Sequence, residues 1–130
     1  MRALITGCAG FIGSSMADRL LAAGHSVVGI DNLSTGNRWF LDSALRSPNF
    51  RLVEADLLNE AAIRPAFAGS EMVFHFAANA DVRFGVDNPR RDLEQNTIAT
   101  HNVLEAMRAG GVKRIAFSST GSVYGEPDVF

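Results

Sequence analysis

The stretch ALITGCAGFIGSSMADRLL, from Ala3 to Leu21, constrains this chain more than any other. It begins as a short apolar, β-prone run, carries glycine at Gly7, Gly10 and Gly13, and ends with the apolar spacing of an amphipathic helix. This predicts a strand, a tight turn and a helix. Glycine permits positive φ, and its missing Cβ lets a ligand approach the main chain. The helix after Gly10 would direct its free amides and the positive end of its dipole into the same space, which suits a pyrophosphate. A dinucleotide is therefore the expected ligand. Gly13 is accounted for by helix packing on the sheet, whereas Gly7 and Gly10 are left for the ligand. The spacing G-x-x-G-x-x-G departs from G-x-G-x-x-G, and glycine triplets also arise by chance, so the motif needs a partner elsewhere in the chain.

Apolar runs bounded by turn residues predict strands at Ala3–Ile5, Val27–Ile30, Arg51–Ala55, Met72–Phe76 and Val112–Phe117. Segments of helical period fall between them, at Ile12–Ala23, Arg38–Arg46, Glu60–Ala68 and Pro89–Ala109. Alternating short apolar strands and helices imply an α/β fold, a parallel sheet covered on both faces. Right-handed crossovers with one reversal give a Rossmann-type, doubly wound sheet of strand order 3-2-1-4-5. Two polar stretches follow strand ends and are long enough to contact a ligand: Asn32–Asn37 and Asn79–Pro89.

The partner of the glycine turn is Asp31, which ends the second predicted strand. A carboxylate there can accept two hydroxyl groups of an adenosine ribose, each bond worth roughly 1.5–3 kcal/mol, and it would repel a 2′-phosphate. The reading is NAD rather than NADP, with Arg38 a weak counter-signal better read as a solvated residue at a helix start. Asp56 could accept the adenine amino group or lie in a helix N-cap region. With 130 residues, 47% of them hydrophobic, and a formal charge of −2, the chain predicts one domain with a real core. Its Lys and Arg are dispersed, so no nucleic-acid or anionic-membrane partner is expected. The absence of a leader-like start and of long apolar runs predicts a cytoplasmic location. Cys8 is the sole cysteine, and His25, His75 and His101 lack ligand spacing, so no metal is expected.

Six ordered segments resemble the extended short-chain dehydrogenase/reductase family: TGCAGFIG (Thr6–Gly13), DNLSTG (Asp31–Gly36), ADLL (Ala55–Leu58), HFAA (His75–Ala78), QNTIATHNVLEA (Gln95–Ala106) and FSSTGSVYGE (Phe117–Glu126). Within it they are most similar to the NAD-dependent nucleotide-sugar epimerases and dehydratases, the UDP-galactose (UDP-glucose) 4-epimerase branch nearest. The resemblance implies NAD across Gly7, Gly10, Phe11 and Ile12, with Asp31 and Asn32 at the adenosine ribose and Ser34, Thr35 and Gly36 in the same cofactor loop. It also implies Asp56 and Leu57 at the adenine, Phe76, Ala77 and Ala78 at the middle of the cofactor, and Asn96 and Ser118 toward the nicotinamide. Thr120 matches the catalytic Ser/Thr whose hydroxyl bonds the sugar oxygen undergoing oxidation, although hydroxyl residues also cap strand ends. A nucleotide-sugar substrate, UDP-hexose in the nearest branch, and a homodimer of the intact enzyme, using helix Pro89–Ala109, are implied as well.

Two departures qualify the resemblance. Cys8 occupies a small-residue position of the phosphate turn, where thiol reagents are expected to compete with NAD. Ala80 replaces a lysine of the best-known 4-epimerases, leaving Asp81 and Arg83 either to face the substrate or to pair with each other. The family's Tyr-x-x-x-Lys pair is absent: Tyr124 is the only tyrosine, Lys113 precedes it, and the position four after Tyr124 is Asp128. Residues 1–130 are therefore expected to be the NAD-binding, N-terminal part of a longer enzyme, truncated after the fifth strand and inactive alone. Val112–Phe117 is expected to form an exposed apolar edge. A non-catalytic NAD-binding regulatory module remains the alternative, and an NADP-dependent reductase is a third reading opposed by Asp31.

Overall fold

The computed structural model describes residues 1–125 and, within them, all side chains but those of Val82, Phe84, Ser122 and Val123. Glu126 and Asp128, used in the sequence reading, lie outside the described residues. Strands β1 (Arg2–Thr6), β2 (Ser26–Asp31), β3 (Phe50–Glu54), β4 (Met72–His75) and β5 (Ile115–Phe117) form one parallel sheet in the order β3-β2-β1-β4-β5. This is the expected doubly wound order, and its reversal beside β1 opens a crevice at the carboxyl ends of β1 and β4.

The two-residue period of β1 divides the core. Ala3 and Ile5 pack with Ala17 and Leu20 of α1 (Phe11–Ala22) and with Leu41 and Ala44, the latter in α2 (Asp42–Leu45). Leu4 faces the opposite layer, with Ile63 of α3 (Glu60–Ile63), Phe67, and Val103, Ala106 and Met107 of α6 (Ala99–Gly110). Among the described residues no helix is long and apolar enough to cross a membrane.

Several boundaries differ from the sequence reading for identifiable reasons. The predicted helix Arg38–Arg46 is a 3₁₀ turn, Arg38–Leu41, capped by Asn37 and followed by α2. Only Leu41 and Ala44 anchor that segment in the core. Pro65 removes a donor from Glu60–Ala68, which divides into α3 and a 3₁₀ turn, Arg64–Phe67. Residues 79–89 are not all loop, because α4 (Val82–Asp87) forms within them, too short to show a helical period. The long helix is three pieces: α5 (Pro89–Asp92), a π-helical segment, Leu93–Ile98, and α6. Strand β5 starts at Ile115 because Gly111 and Val112 close α6: Gly111 adopts φ +71°, and the Val112 N–H bonds the Met107 carbonyl at 2.9 Å. The edge is thus shorter than expected, and Ile115 and Phe117 are its exposed apolar residues.

The glycine turn is held by contacts within the protein. Gly7 has φ +70°, and a Cβ there would lie 2.7 Å from the Ala77 nitrogen. Gly7 is thus demanded by the chain itself, which corrects its assignment to a ligand alone. A Cβ on Gly13 would lie 2.1 Å from the Gly7 carbonyl oxygen. Gly13→Ala would gain about 1 kcal/mol of helix propensity but meet a backbone atom that moves only with the turn, and overpacking costs about 1–3 kcal/mol even against side chains. The expected outcome is a net loss of about 2 kcal/mol by urea unfolding. Unchanged or increased stability would contradict this packing account.

Candidate functional site

Two adjoining cavities, of about 180 and 690 Å³, occupy the crevice and share Phe76, Ala77 and Ala78 as their common wall. The smaller brings together Gly7, Gly10, Asp31, Asn32, Ser34, Thr35, Gly36 and Leu57 from the sequence reading. The larger brings together Ile12, Asn96, Ser118 and Thr120. Phe11, 77% exposed, and Asp56 line neither. Asn79, which opens one of the two polar stretches expected to contact a ligand, lines the second cavity; sequence reasoning did not single out Ile30, Ala55 and Gln95 in the first cavity, or Asp92, Thr100, Phe117 and Ser119 in the second. Ala55, Gln95, Thr100, Phe117 and Ser119 lie within the motif segments, but no chemistry sets them apart from their motif neighbours, and the sheet gathers them.

At the smaller cavity, Asp31 is anchored by the main chain. Its Oδ2 accepts the Ala9 N–H and its Oδ1 the Leu33 N–H, both at 2.8 Å. Each oxygen retains acceptor capacity for a hydroxyl. The Asn37 N–H bonds the Ala9 carbonyl at 2.9 Å, so the glycine turn and the loop after β2 form one unit. Asn32 donates to Asp56 Oδ2 at 2.9 Å, while Asp56 Oδ1 accepts the Leu58 N–H. Asn59, rather than Asp56, caps α3, accepting from the Ala62 N–H. Arg38 pairs with Glu54 at 3.2 Å. Such an exposed pair contributes little to stability, but it gives the Arg38 guanidinium a carboxylate partner.

The start of α1 suits an anion. Gly10 caps the helix without a side-chain hydrogen bond, and no acidic residue lies in the first turn. The only close contact a Cβ on Gly10 would make is the Gly7 carbonyl oxygen, at 3.3 Å. The free amides therefore face a space open to a phosphate, with the Asp31 carboxylate at the adjoining cavity wall. This donor set fits the diphosphate and ribose of a dinucleotide.

Beneath the larger cavity His75 is buried between two hydroxyls, Thr6 Oγ1 at 2.6 Å and Thr100 Oγ1 at 2.9 Å. Burial lowers its pKa to about 4. Asn96 spends its side-chain amide on the main chain of Asn79, accepting from the N–H at 2.7 Å and donating to the carbonyl at 3.2 Å. Asn79 Nδ2 in turn donates to Asp92 at 2.7 Å. The Asp81 carboxylate accepts the Arg83 N–H at 3.1 Å, and both residues are exposed and line neither cavity.

Cys8 points into the sheet. Its Sγ fills the space a Cβ on Gly29 would take, only 2.5 Å away, and the residue is fully buried. Burial first, and the Asp31 carboxylate second, push its thiol up to about 12. A neutral, enclosed thiol does not compete for the cavity mouth, which corrects the expected interference by thiol reagents. Among the described residues no three His, Cys, Asp or Glu side chains gather as metal ligands.

The crevice, the glycine turn and the acidic strand end define a dinucleotide-binding fold, and comparison with known proteins identifies which. Residues 3–129 match the NAD dependent epimerase/dehydratase family, and the chain belongs to it. It is 43% identical to UDP-glucose 4-epimerase of Mycolicibacterium smegmatis over 100% of this chain and 42% of that protein. It is 38% identical to UDP-glucuronate 4-epimerase of Thermodesulfobacterium geofontis, over 93% of this chain and 40% of that one. A UDP-glucose 4-epimerase of Thermus thermophilus, solved in complex with NAD, superposes with a TM-score of 0.88 at 38% identity, covering 100% of this chain and 42% of its own. The chain thus spans about two fifths of the length of these relatives.

The buried imidazole has a measurable consequence. Its folded-state pKa is depressed, so between about pH 6.5 and 4 the unfolded chain binds a proton that the folded chain does not. Stability is retained above that window and falls as pH drops through it, by roughly 3 kcal/mol from this group. Urea unfolding across pH 4–7 is expected to show a steeper acid loss, by about one proton, in the parent than in His75→Gln. Equal slopes would contradict a buried neutral His75.

Proposed function

We propose that residues 1–130 are the NAD-binding, N-terminal part of a nucleotide-sugar epimerase or dehydratase that works on a UDP-hexose in the manner of UDP-glucose 4-epimerase. Bound in this crevice, NAD+ would supply reversible hydride transfer at C4 of the sugar. The work of this chain is to bind and orient. Asp31 accepts the adenosine ribose hydroxyls, with Asn32 beside it and Ser34, Thr35 and Gly36 closing the loop over it. Asp56 and Leu57 take the adenine end. Gly7 and Gly10, whose own amides bond the Ile30 and Gly7 carbonyls, let the diphosphate approach the turn, and Phe11 and Ile12 present the helix amides to it. Phe76, Ala77 and Ala78 support the middle of the cofactor, and Ser118 and Asn96 border its reactive half. Thr120, at the larger cavity, holds the sugar oxygen that loses its proton.

The observation that carries this reading is the pre-anchored Asp31 carboxylate in a groove that also receives an uncapped helix start. The names of the relatives support the sugar-nucleotide class. With Tyr124 its only tyrosine and Lys113 before it, the chain carries no Tyr-x-x-x-Lys pair, and we read it as binding cofactor without turnover. A cytoplasmic setting, a homodimer of the intact enzyme, and no dealings with nucleic acid or membrane complete the proposal.

Calorimetric titration tests it. The parent is expected to bind NAD+ and to bind NADP+ more weakly. Asp31→Asn should lose about tenfold or more in NAD+ affinity, the equivalent of one charge-assisted hydrogen bond. Failure of the folded parent to bind NAD+, or equal affinity for NADP+, would contradict the reading.

A further inference from the structure

One chain of hydrogen bonds beneath the groove begins and ends on the same segment. The Ala77 N–H donates to Thr6 Oγ1 at 3.4 Å, and Thr6 Oγ1 lies 2.6 Å from His75 Nδ1. His75 Nε2 lies 2.9 Å from Thr100 Oγ1, which donates to the Asn96 carbonyl at 2.6 Å. The Asn96 side chain then grips Asn79 at both its N–H and its carbonyl. A carbonyl only accepts, so the single hydroxyl hydrogen of Thr100 is committed, and Thr100 must receive its bond from His75. His75 therefore carries its hydrogen on Nε2, its Nδ1 accepts from Thr6, and every polar atom in the chain has a defined role.

We propose that His75 is a positioning residue of the cofactor groove, the keystone of a hydrogen-bonded ring that fixes residues 76–79, which include the wall shared by the two cavities, Phe76, Ala77 and Ala78. This rests on the reading of the groove as the NAD site. Thr6 is fully buried and lines neither cavity, so it acts only through the ring. The π-helical turn fits the same role: the wide turn Leu93–Ile98 contains Asn96, and α6 starts just before Thr100. Such turns are rare and recur at functional sites. An imidazole in this place supplies a donor at one end and an acceptor at the other, a pairing that no apolar core residue provides.

The test combines NAD+ titration of the parent, Thr6→Val, Thr6→Ser, Thr100→Val and the double Val variant with nitrogen NMR of the His75 ring. Amide exchange of Ala77 and Asn79 is read in the same ligand-free samples. The parent ring is expected as the Nε2–H tautomer. Thr6→Val should weaken NAD+ binding about tenfold, the equivalent of one net hydrogen bond, and should speed exchange at both amides, whereas Thr6→Ser should restore both. The double variant should bind no worse than the weaker single, because both breaks open one ring. An Nδ1–H tautomer, unaltered affinity in Thr6→Val, or additive losses would overturn the ring while leaving the NAD reading intact. If the valine variants do not fold, the tautomer of the parent decides. A folded parent that binds no NAD+ would remove the reading of the groove itself, and with it any cofactor role for His75.

Discussion

The start of α1 lies on the end of β1 at a distance that only glycine allows, with Gly13 against the Gly7 carbonyl and Gly7 against the backbone at Ala77. Three elements, β1, α1 and the segment after β4, converge there with no side chain between them. This contact aims α1 along the crevice and sets the height of the wall that divides it. A larger residue at either position would tilt the helix and so move its amides away from the space they serve.

On that frame the two loops that border the smaller cavity are joined by a carboxylate. Asp31 binds Ala9 in the glycine turn and Leu33 in the following loop, so the groups we assign to phosphate and to ribose are fixed relative to each other by the protein's own main chain. Preorganisation of this kind lowers the ordering cost of binding. It also means that Asp31 is a structural residue as well as a candidate ligand. The electrostatic balance follows from the same placement: an uncapped helix start favours an anion at one point, and the Asp31 carboxylate disfavours a second anion at the end we assign to the ribose.

The sheet order and most strand positions were legible because apolar runs between turn residues are a local signal. Asp31 was legible for the same reason, being the last residue of such a run. The boundaries that were not legible depend on tertiary or capping detail: Val112 reads as strand by composition but closes α6, and α4 is too short for periodicity to register. Cys8 reads as a groove residue by its place in the motif, yet the bare Cα of Gly29 draws its side chain into the sheet. The partners of His75, on β1 and α6, lie far from it in sequence, and although Thr6 and Thr100 fall within the TGCAGFIG and QNTIATHNVLEA segments, nothing in those segments marks either as a partner of His75. A histidine without ligand spacing gives no local sign of what it holds.

We propose that one groove, from Asp31 to Thr120, receives a single NAD molecule. Backbone NMR of the 130-residue chain titrated with NAD+ tests it most directly. The account predicts amide shifts that saturate with one common affinity at Gly7–Gly13, Asp31–Gly36, Phe76–Asn79 and Ser118. Shifts confined to other surfaces, or none at saturating cofactor in a folded chain, would contradict it.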